Sequence, residues 1–404
     1  MLRIFSRAIA YLVCCVFFLL IQKSHALGSC HQTYLPKENR LTNPSALYFP
    51  KNDQKKTFDA LLKSTGIAIK PGCAGGVNTQ QQALLHNIVQ LVDETQKKWV
   101  RRVHGADRWN MVKKTYMNPG ALLGDLKKLG FVQASVPASK NSDCLCILGS
   151  TGPSMSVRIQ YAHDLLNRGH CTKHIVLLAG ERPLNPKERS QKVLRDVSKH
   201  RGRPVSDLTE SDLIHYLYHQ SPLSKKGIPV TLIDTPRGDL PRPTTQTTAV
   251  QLIAWLNKNP SIHNVVFVST QPHVAYQKSC IDMAFRLCNK KDVACTVVGN
   301  NNSNNDCTQV CDAGLQALGS YIWAVTVQIL SEISWHCPVS KEIKQGFRRL
   351  YAHNPMAYGL LPRLLRDEQS VMTPGKTPGI NRIVVKKRAN EDLSATQTEA
   401  APPA

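Results

Sequence analysis

The sequence predicts an α/β fold: a Rossmann-like parallel sheet flanked by helices, with a helical N-terminal region before it and a basic C-terminal extension after it. Three observations predict this. Short apolar runs recur at 144–148, 174–179, 228–233, 263–269 and 293–298. Helical segments separate them, as crossover connections between parallel strands require. The runs also lose in/out alternation, as strands covered on both faces do.

Residues 27–80 are polar and carry no sustained period. Over 81–104, Leu84, Leu85, Ile88, Val89, Leu91 and Val92 repeat at helical spacing, so a helix is expected. A short amphipathic piece at 122–129 leads into a polar linker at 134–143. The first strand, 144–148, ends in Gly149-Ser150-Thr151-Gly152, and a helix over 156–168 stops at Gly169. The second strand, 174–179, ends at Gly180, and 186–226 read as helical and strongly charged. The third strand at 228–233, a helix at 245–256, the fourth strand at 263–269, a helix at 274–287 and the fifth strand at 293–298 follow. After an Asn/Ser-rich loop at 300–306, a last long helix is expected over 313–335. From 341 to 388 the chain is basic and Pro-interrupted, with 11 Lys+Arg against three acids, and 391–404 read as a disordered tail. The domains expected are a signal peptide (1–26), a mostly helical region (27–142), the Rossmann-like domain (143–338) and the basic extension with its tail (339–404).

The 404 residues suffice for one large domain or two ordinary ones, with a real core. With 42% hydrophobic and 20% charged residues, the chain is not wholly disordered, collagenous or coiled-coil. Only one stretch is apolar enough to consider for a membrane. Arg3 and Arg7 precede an apolar run at 8–21, and Ser24-His25-Ala26 supplies a small-x-small end. That order reads as a secretory signal peptide, with an uncleaved anchor as the alternative. Cys14 and Cys15 lie inside the run and read as signal residues. Cleavage after Ala26 removes Arg3, Arg7 and Lys23, lowering the formal charge from +23 to +20, and leaves 11 of 13 Cys. Many cysteines in an exported chain imply disulfides, and an odd number leaves at least one free or paired with another chain. Cys307 and Cys311, with Cys295 and Cys288 nearby, are the expected local bridges.

Ligands of an open parallel sheet bind beyond the carboxyl ends of its strands, at the switch point. In the loop after the first strand, Gly149, Ser150, Thr151 and Ser154 precede a helix, where backbone N–H groups and hydroxyls suit a phosphate or carboxylate. Arg158, one turn into that helix, is the expected two-pronged donor to the anion. The plainer reading is an ordinary strand–helix turn with a surface Arg. Gly180, Glu181 and Arg182 follow the second strand, where the two charges form either a site or a mere surface pair with each other. Asp234 ends the third strand, and Thr244, Thr245, Gln246, Thr247 and Thr248 either cap the next helix or touch ligand. The fourth strand ends in Ser269-Thr270-Gln271-Pro272-His273, which places His273 as the candidate catalytic base or ligand donor.

Other clusters carry less weight. His215 and His219 have a zinc-like spacing, but Tyr216 stands where a metalloprotease would have Glu. His170, Cys171 and His174 are close, but His174 opens a strand. The side chains of Cys144-Leu145-Cys146 are expected to point to opposite faces of a strand, which argues against a chelate. No P-loop and no Gly-x-Ser-x-Gly elbow is present.

The segments CILGSTGPSMSVRIQYAHDLLNRG, HIVLLAGERPL, GIPVTLIDTPRG, TTQTTAVQLIAWL and VVFVSTQPHVAYQKSCIDMAF carry a resemblance. Residues from about 143 to 330 resemble the bacterial domain-of-unknown-function family typified by SanA, ElyC and YdcF. Gly149, Arg158, Gly180, Asp234, Thr245 and His273 match its pattern. Thr247-Thr248 stand where the family has Glu-Asn, Tyr276 where it has Arg, and Ala179-Gly180-Glu181 where Ser-Gly-Gly is common. A carboxylate, an amide and a guanidinium of the family's cleft are therefore missing. The resemblance implies a Rossmann-like sheet, an envelope setting, and a role in cell-wall or surface-polysaccharide upkeep. A nucleotide-like ligand such as S-adenosylmethionine is one candidate that the resemblance implies, although export weighs against it here.

Two functional readings follow. In the first, an exported periplasmic or envelope protein binds an anionic small molecule, or a phosphate-bearing glycan or lipid carrier, in the switch-point cleft. In the second, a non-catalytic secreted or surface protein acts through its basic surface on an envelope polymer or an anionic membrane. Export and the lack of clustered aromatics argue against nucleic acid. No cofactor and no metal is indicated, and whether the protein is an enzyme stays open.

Overall fold

The computed structural model of the chain describes residues 44–69, 77–100, 116–185, 188–238, 242–301 and 306–333. The signal segment, the basic stretch 341–388 and the tail lie outside these residues, as do Cys30, Cys73 and Cys337.

Four helices open the described chain: α1 (Ser45–Tyr48), α2 (Asn52–Ser64), α3 (Val77–Thr95) and α4 (Pro119–Lys128). The first two arise where the sequence shows no sustained period. The reason is local: α2 buries only Phe58, Leu61 and Leu62, one short apolar contact on an otherwise polar helix. α3 begins four residues before the expected start at Gln81 and continues as a π-helical turn, Gln96–Val100. The expected end at His104 falls outside the described residues. Asn118 caps α4, accepting from the Ala121 N–H at 3.1 Å.

The sheet is α/β and Rossmann-like, as the apolar runs predict. Its strands are β1 (Asn141–Leu148), β2 (Cys171–Gly180), β3 (Val230–Thr235), β4 (Asn264–Thr270) and β5 (Ala294–Asn300). They lie in the order β3-β2-β1-β4-β5, and every neighbouring pair is parallel. β1 and β2 each start three residues before their apolar run, on polar residues. Asp143 explains the first of these extensions. Its carboxylate accepts from the backbone N–H groups of His263 and Asn264 at 3.0 and 3.1 Å and meets Lys173 Nζ at 2.8 Å.

The connecting helices are α5 (Gly152–Asn167), α6 (Gln191–Arg201), α7 (Glu210–His219), α8 (Thr245–Leu256), α9 (Val274–Leu287) and α10 (Cys307–Ile333). α5 ends before Gly169, whose φ of +87° suits glycine at a helix stop. The charged stretch 186–226 is not one helical unit. Gly202 and Pro204 separate α6 from α7, and two short 3-10 turns flank α7. α5 and α7 cover one face of the sheet, packing Met155, Ile159, Leu213 and Ile214 on Leu145, Ile147, Ile175 and Leu177. α8 and α9 cover the other, packing Leu252, Leu256, Ile281 and Phe285 on Cys146, Val176, Val265 and Phe267.

α10 starts six residues earlier than the periodicity suggests because Asp306 caps it, accepting from the Thr308 N–H at 2.9 Å. Its apolar side does not simply close the sheet. Val310, Leu315, Leu318, Ile322 and Ile329 share one core with Phe58, Leu84, Leu91, Trp99 and Leu126. Tyr48 Oη meets Thr326 Oγ1 at 2.6 Å inside it, and Gln328 Nε2 donates to Ser279 O at 2.6 Å, tying α10 to α9. The N-terminal helices thus share their core with α10. No helix among the described residues is long and apolar enough to cross a membrane.

The cysteines correct two expectations. All eight described cysteines are free, including the expected bridge partners Cys288, Cys295, Cys307 and Cys311. Their surroundings differ: Cys311 Sγ lies 3.1 Å from Pro119 O, Cys295 Sγ lies 3.9 Å from Val293 O, Cys307 is half-buried and Cys288 is exposed. Cys144 and Cys146 do not diverge. Only Leu145 points to the α5 face; both cysteines lie under α8 and α9, because strand side chains repeat every second residue. Burial pushes the Cys144 thiol up to about 12, with Asp143 adding to the rise, and holds Cys146 well above the usual thiol range. Native protein treated with iodoacetamide at pH 8 should therefore be alkylated at Cys171 and Cys288 well before Cys144, Cys146 or Cys280. Peptide mass mapping reads this directly, and early modification of Cys146 would contradict the packing.

Candidate functional site

The strand order reverses between β1 and β4, so the loops after these two strands diverge and leave the switch-point crevice. Gly149 ends β1, its N–H donating to Leu178 O at 2.7 Å. A Cβ at this position would overlap Glu210 Oε1 and stand 3.0 Å from Ala179 Cα. Only glycine lets the Glu210 carboxylate approach the loop. Gly180 is constrained in the same way, by Pro243.

Arg158 is 1% exposed. Its NH1 donates to Leu148 O at 2.9 Å and Gly149 O at 2.5 Å, and its NH2 to Thr270 Oγ1 at 3.4 Å. It thus joins the carboxyl ends of β1 and β4 from below. Burial draws its pKa down to about 10, with Glu210 opposing the change.

The guanidinium that meets a carboxylate at the loop is that of Arg182. It does not pair with Glu181, as a surface reading expects. Its NH1 and NH2 fork onto Glu188 at 2.5 and 3.0 Å, its Nε donates to Glu210 at 2.7 Å, and its NH2 also reaches Ser150 O at 3.1 Å. The side chains of Arg182, Glu188 and Glu210 are 12%, 0% and 14% exposed. Burial works against the Arg182 charge, but Glu188 and Glu210 outweigh it and hold its pKa above the usual guanidinium range. Two carboxylates share this one fork. Burial raises the pKa of Glu210 against the pull of Arg182, and the charge of Glu188 adds to the rise.

Glu188 also occupies the start of α5. The Gly152 N–H donates to Glu188 Oε2 at 3.1 Å, and the Asn185 N–H to Oε1 at 3.1 Å. Arg189 NH2 follows, donating to Gly152 O at 2.6 Å and bonding Ser156 Oγ. The helix-start anion position predicted from Gly149 to Ser154 is thus filled by the protein's own carboxylate. Ser150, Thr151 and Ser154 are half-buried around it, with Thr151 Oγ1 donating to Ser154 Oγ at 3.2 Å.

The remaining predicted residues stand at other strand ends. Glu181 is exposed, and its carboxylate accepts from the Arg237 N–H at 3.4 Å. Asp234 accepts from Ser211 Oγ at 2.6 Å. The threonines do cap α8: Thr244 and Thr247 bond reciprocally, at 2.8 and 3.2 Å, while Thr245 is half-buried in the first turn. His273 opens α9 after the cis Gln271–Pro272 bond, its N–H donating to Thr270 O at 2.9 Å. Gln271 turns toward the N-terminal region, donating to Gly130 O and Gln133 O at 3.2 and 2.6 Å. The structure thus joins Gly149, Arg158 and Thr270 directly. Glu181, Asp234, Thr245 and His273 stand at separate strand ends around them.

Glu188 and Glu210 escaped the sequence reading. Both lie in the charged stretch 186–226, where a carboxylate looks like part of a solvated face. The one local signal was Thr209 with Asp212, a capping box that starts α7 and so places Glu210 at its first turn. Among the described residues no group of three or more His, Cys, Asp or Glu side chains is arranged to hold a metal ion.

No family model matches the chain, and no curated protein matches it. The likeness to the SanA, ElyC and YdcF family rests on the quoted segments alone.

Proposed function

We propose that this protein is an exported envelope protein whose switch-point crevice binds an anionic group, on a small molecule or on a phosphate-bearing glycan or lipid carrier. One observation carries the reading: the Gly152 N–H and the Arg182 fork already hold a carboxylate at the start of α5. That is the donor set an exogenous carboxylate or phosphate would use after displacing Glu188. His273 at the end of β4 is the group placed to move a proton if the bound molecule reacts. The envelope setting is supported by the apolar start ending in Ser24-His25-Ala26 and by the family resemblance.

The test is a thermal-shift panel of inorganic phosphate, sugar phosphates, lipid-carrier phosphates, nucleotides and S-adenosylmethionine. A ligand at a hundredfold excess over its Kd adds about 2.7 kcal/mol of stability. The shift should be larger in Glu188→Gln, which removes the competing charge. No shift in either wild type or Glu188→Gln would overturn the reading.

A second reading is favoured by the formal charge, +20 once the leader is removed, and by the basic stretch 341–388: a binder of anionic polymers or membranes that acts through this extension. Truncation after Ser340 separates the two, because it abolishes anion binding only under the second.

A further inference from the structure

We infer that the helix pair α6–α7 is an acid-released latch over the anion site, held shut by the three-imidazole cluster of His200, His215 and His219. This rests on the anion-site reading above and adds its regulation.

The start of each helix bears on the site. Glu188 lies just before α6 and fills the helix-start position, and Glu210 is the first residue of α7 and holds Arg182. His200 and His219 lie in the last turns of α6 and α7, and His215 lies one turn before His219. His200 Nε2 stands 3.3 Å from His215 Nδ1, and His219 Nε2 stands 3.2 Å from His215 Nε2. All three ring centroids lie within 5.8 Å of one another. Arg201 NH1 is 3.3 Å from His215 Nδ1. Neutral rings can share hydrogens at such distances. Imidazolium rings cannot, because every ring nitrogen then carries a proton and the cluster holds up to three charges beside a guanidinium.

The other groups that face the cluster do not neutralise this charge. Among the described residues, Asp212 is the carboxylate that acts on His215, and it is already bonded to Arg201 at 2.9 Å and Arg203 at 3.2 Å; the Tyr216 ring stands edge-on to His200 at 5.7 Å. The side of α7 toward α5 and β2 is apolar, with Leu213, Ile214 and Tyr218 in one core with Tyr161, Leu165 and Ile175. In the turn between the helices, Asp207 accepts from Ser206. In the turn after α7, Lys226 is bonded to Asn167.

Burial and then Arg201 draw the half-buried His215 from 6.5 down to about 3; the exposed His200 and His219 are also lowered, by the part of each ring that is covered and then by their charged neighbours. The sign follows. The opened pair binds protons near pH 6.5 and the closed pair resists them. Closure is therefore complete above the ordinary imidazole range and is lost as pH falls below it toward the lowered values.

The experiment is hydrogen exchange on the full chain at pH 7.5 and 5.0, with times scaled for the chemical rate. Amide protection in α6 and α7 should fall about tenfold or more at pH 5.0 while α8 and α9 keep theirs. The triple variant His200→Gln/His215→Gln/His219→Gln should lose this dependence. Should that variant misfold, NMR titration of the wild-type rings decides, with apparent pKa values below 6.5 expected. Unchanged protection in α6 and α7, or rings titrating at 6.5 in the folded protein, overturns the latch. Inorganic phosphate separates the two claims. A thermal shift equal at both pH values, with unchanged protection, removes the latch and keeps the anion site. Opening without any phosphate shift, even in Glu188→Gln, removes the anion site and with it the latch's role as its gate.

Discussion

Arg182→Ala should cost about 3–5 kcal/mol of stability, the range for removing one partner of a buried ion pair. The loss comes from what remains. Glu188 is fully buried and Glu210 nearly so, and both would lose their guanidinium. Glu188 would keep the Gly152 and Asn185 N–H groups, so Glu210 bears more of the penalty. Denaturant unfolding at pH 7 measures the change. Adding Glu210→Gln to Arg182→Ala should recover part of the loss, because it removes the orphaned charge. A loss below about 1 kcal/mol would mean that the network is solvated and is not the built core of the crevice.

Gly149→Ala should cost about 2–3 kcal/mol, toward the upper part of the overpacking range. The added methyl would take the space of Glu210 Oε1 and press on the Ala179 backbone at 3.0 Å. Glu210 Oε2 is bonded to Arg182 Nε at 2.7 Å, so a carboxylate turned aside by the methyl strains that bond and the steric and electrostatic costs are coupled. A double-mutant cycle with Glu210→Gln tests this, since the two changes should be strongly non-additive. Additive effects would show that the carboxylate moves aside freely and that Gly149 is not kept for it.

Much of the fold was legible because the strands are buried on both faces. A central parallel strand such as β4, with Val265 to Val268 all buried, must be written as an unbroken apolar run, and that pattern survives in one dimension. α8 and α9 likewise match their predicted bounds residue for residue. The misses have local causes. α2 hides three apolar residues among polar ones, Asp306 extends α10 through a cap rather than through periodicity, and 186–226 breaks at Gly202 and Pro204.

The site was legible only in outline. Strand ends point to where a ligand can bind, so Gly149, Arg158, Thr270 and His273 could be named from the strand pattern. Their partners could not. Arg158 looked like an anion donor, but it spends its hydrogen bonds on backbone carbonyls. Arg182 looked like the neighbour's ion pair, but it serves two carboxylates 6 and 28 residues away. His215 and His219 formed an unremarkable pair until α6 brought His200 beside them.

The sequence by itself determined the sheet and the helices that cover it, because burial writes a periodic pattern along the chain, and from the sheet follows the end at which a ligand is expected. The tertiary structure alone decided that Glu188 fills the anion position, that Arg182 and not Arg158 clasps it, and that three imidazoles meet at the far end of the same helices. Charge pairing leaves no such pattern. A buried carboxylate and an exposed one are the same letter, and only the packing of distant segments says which is which.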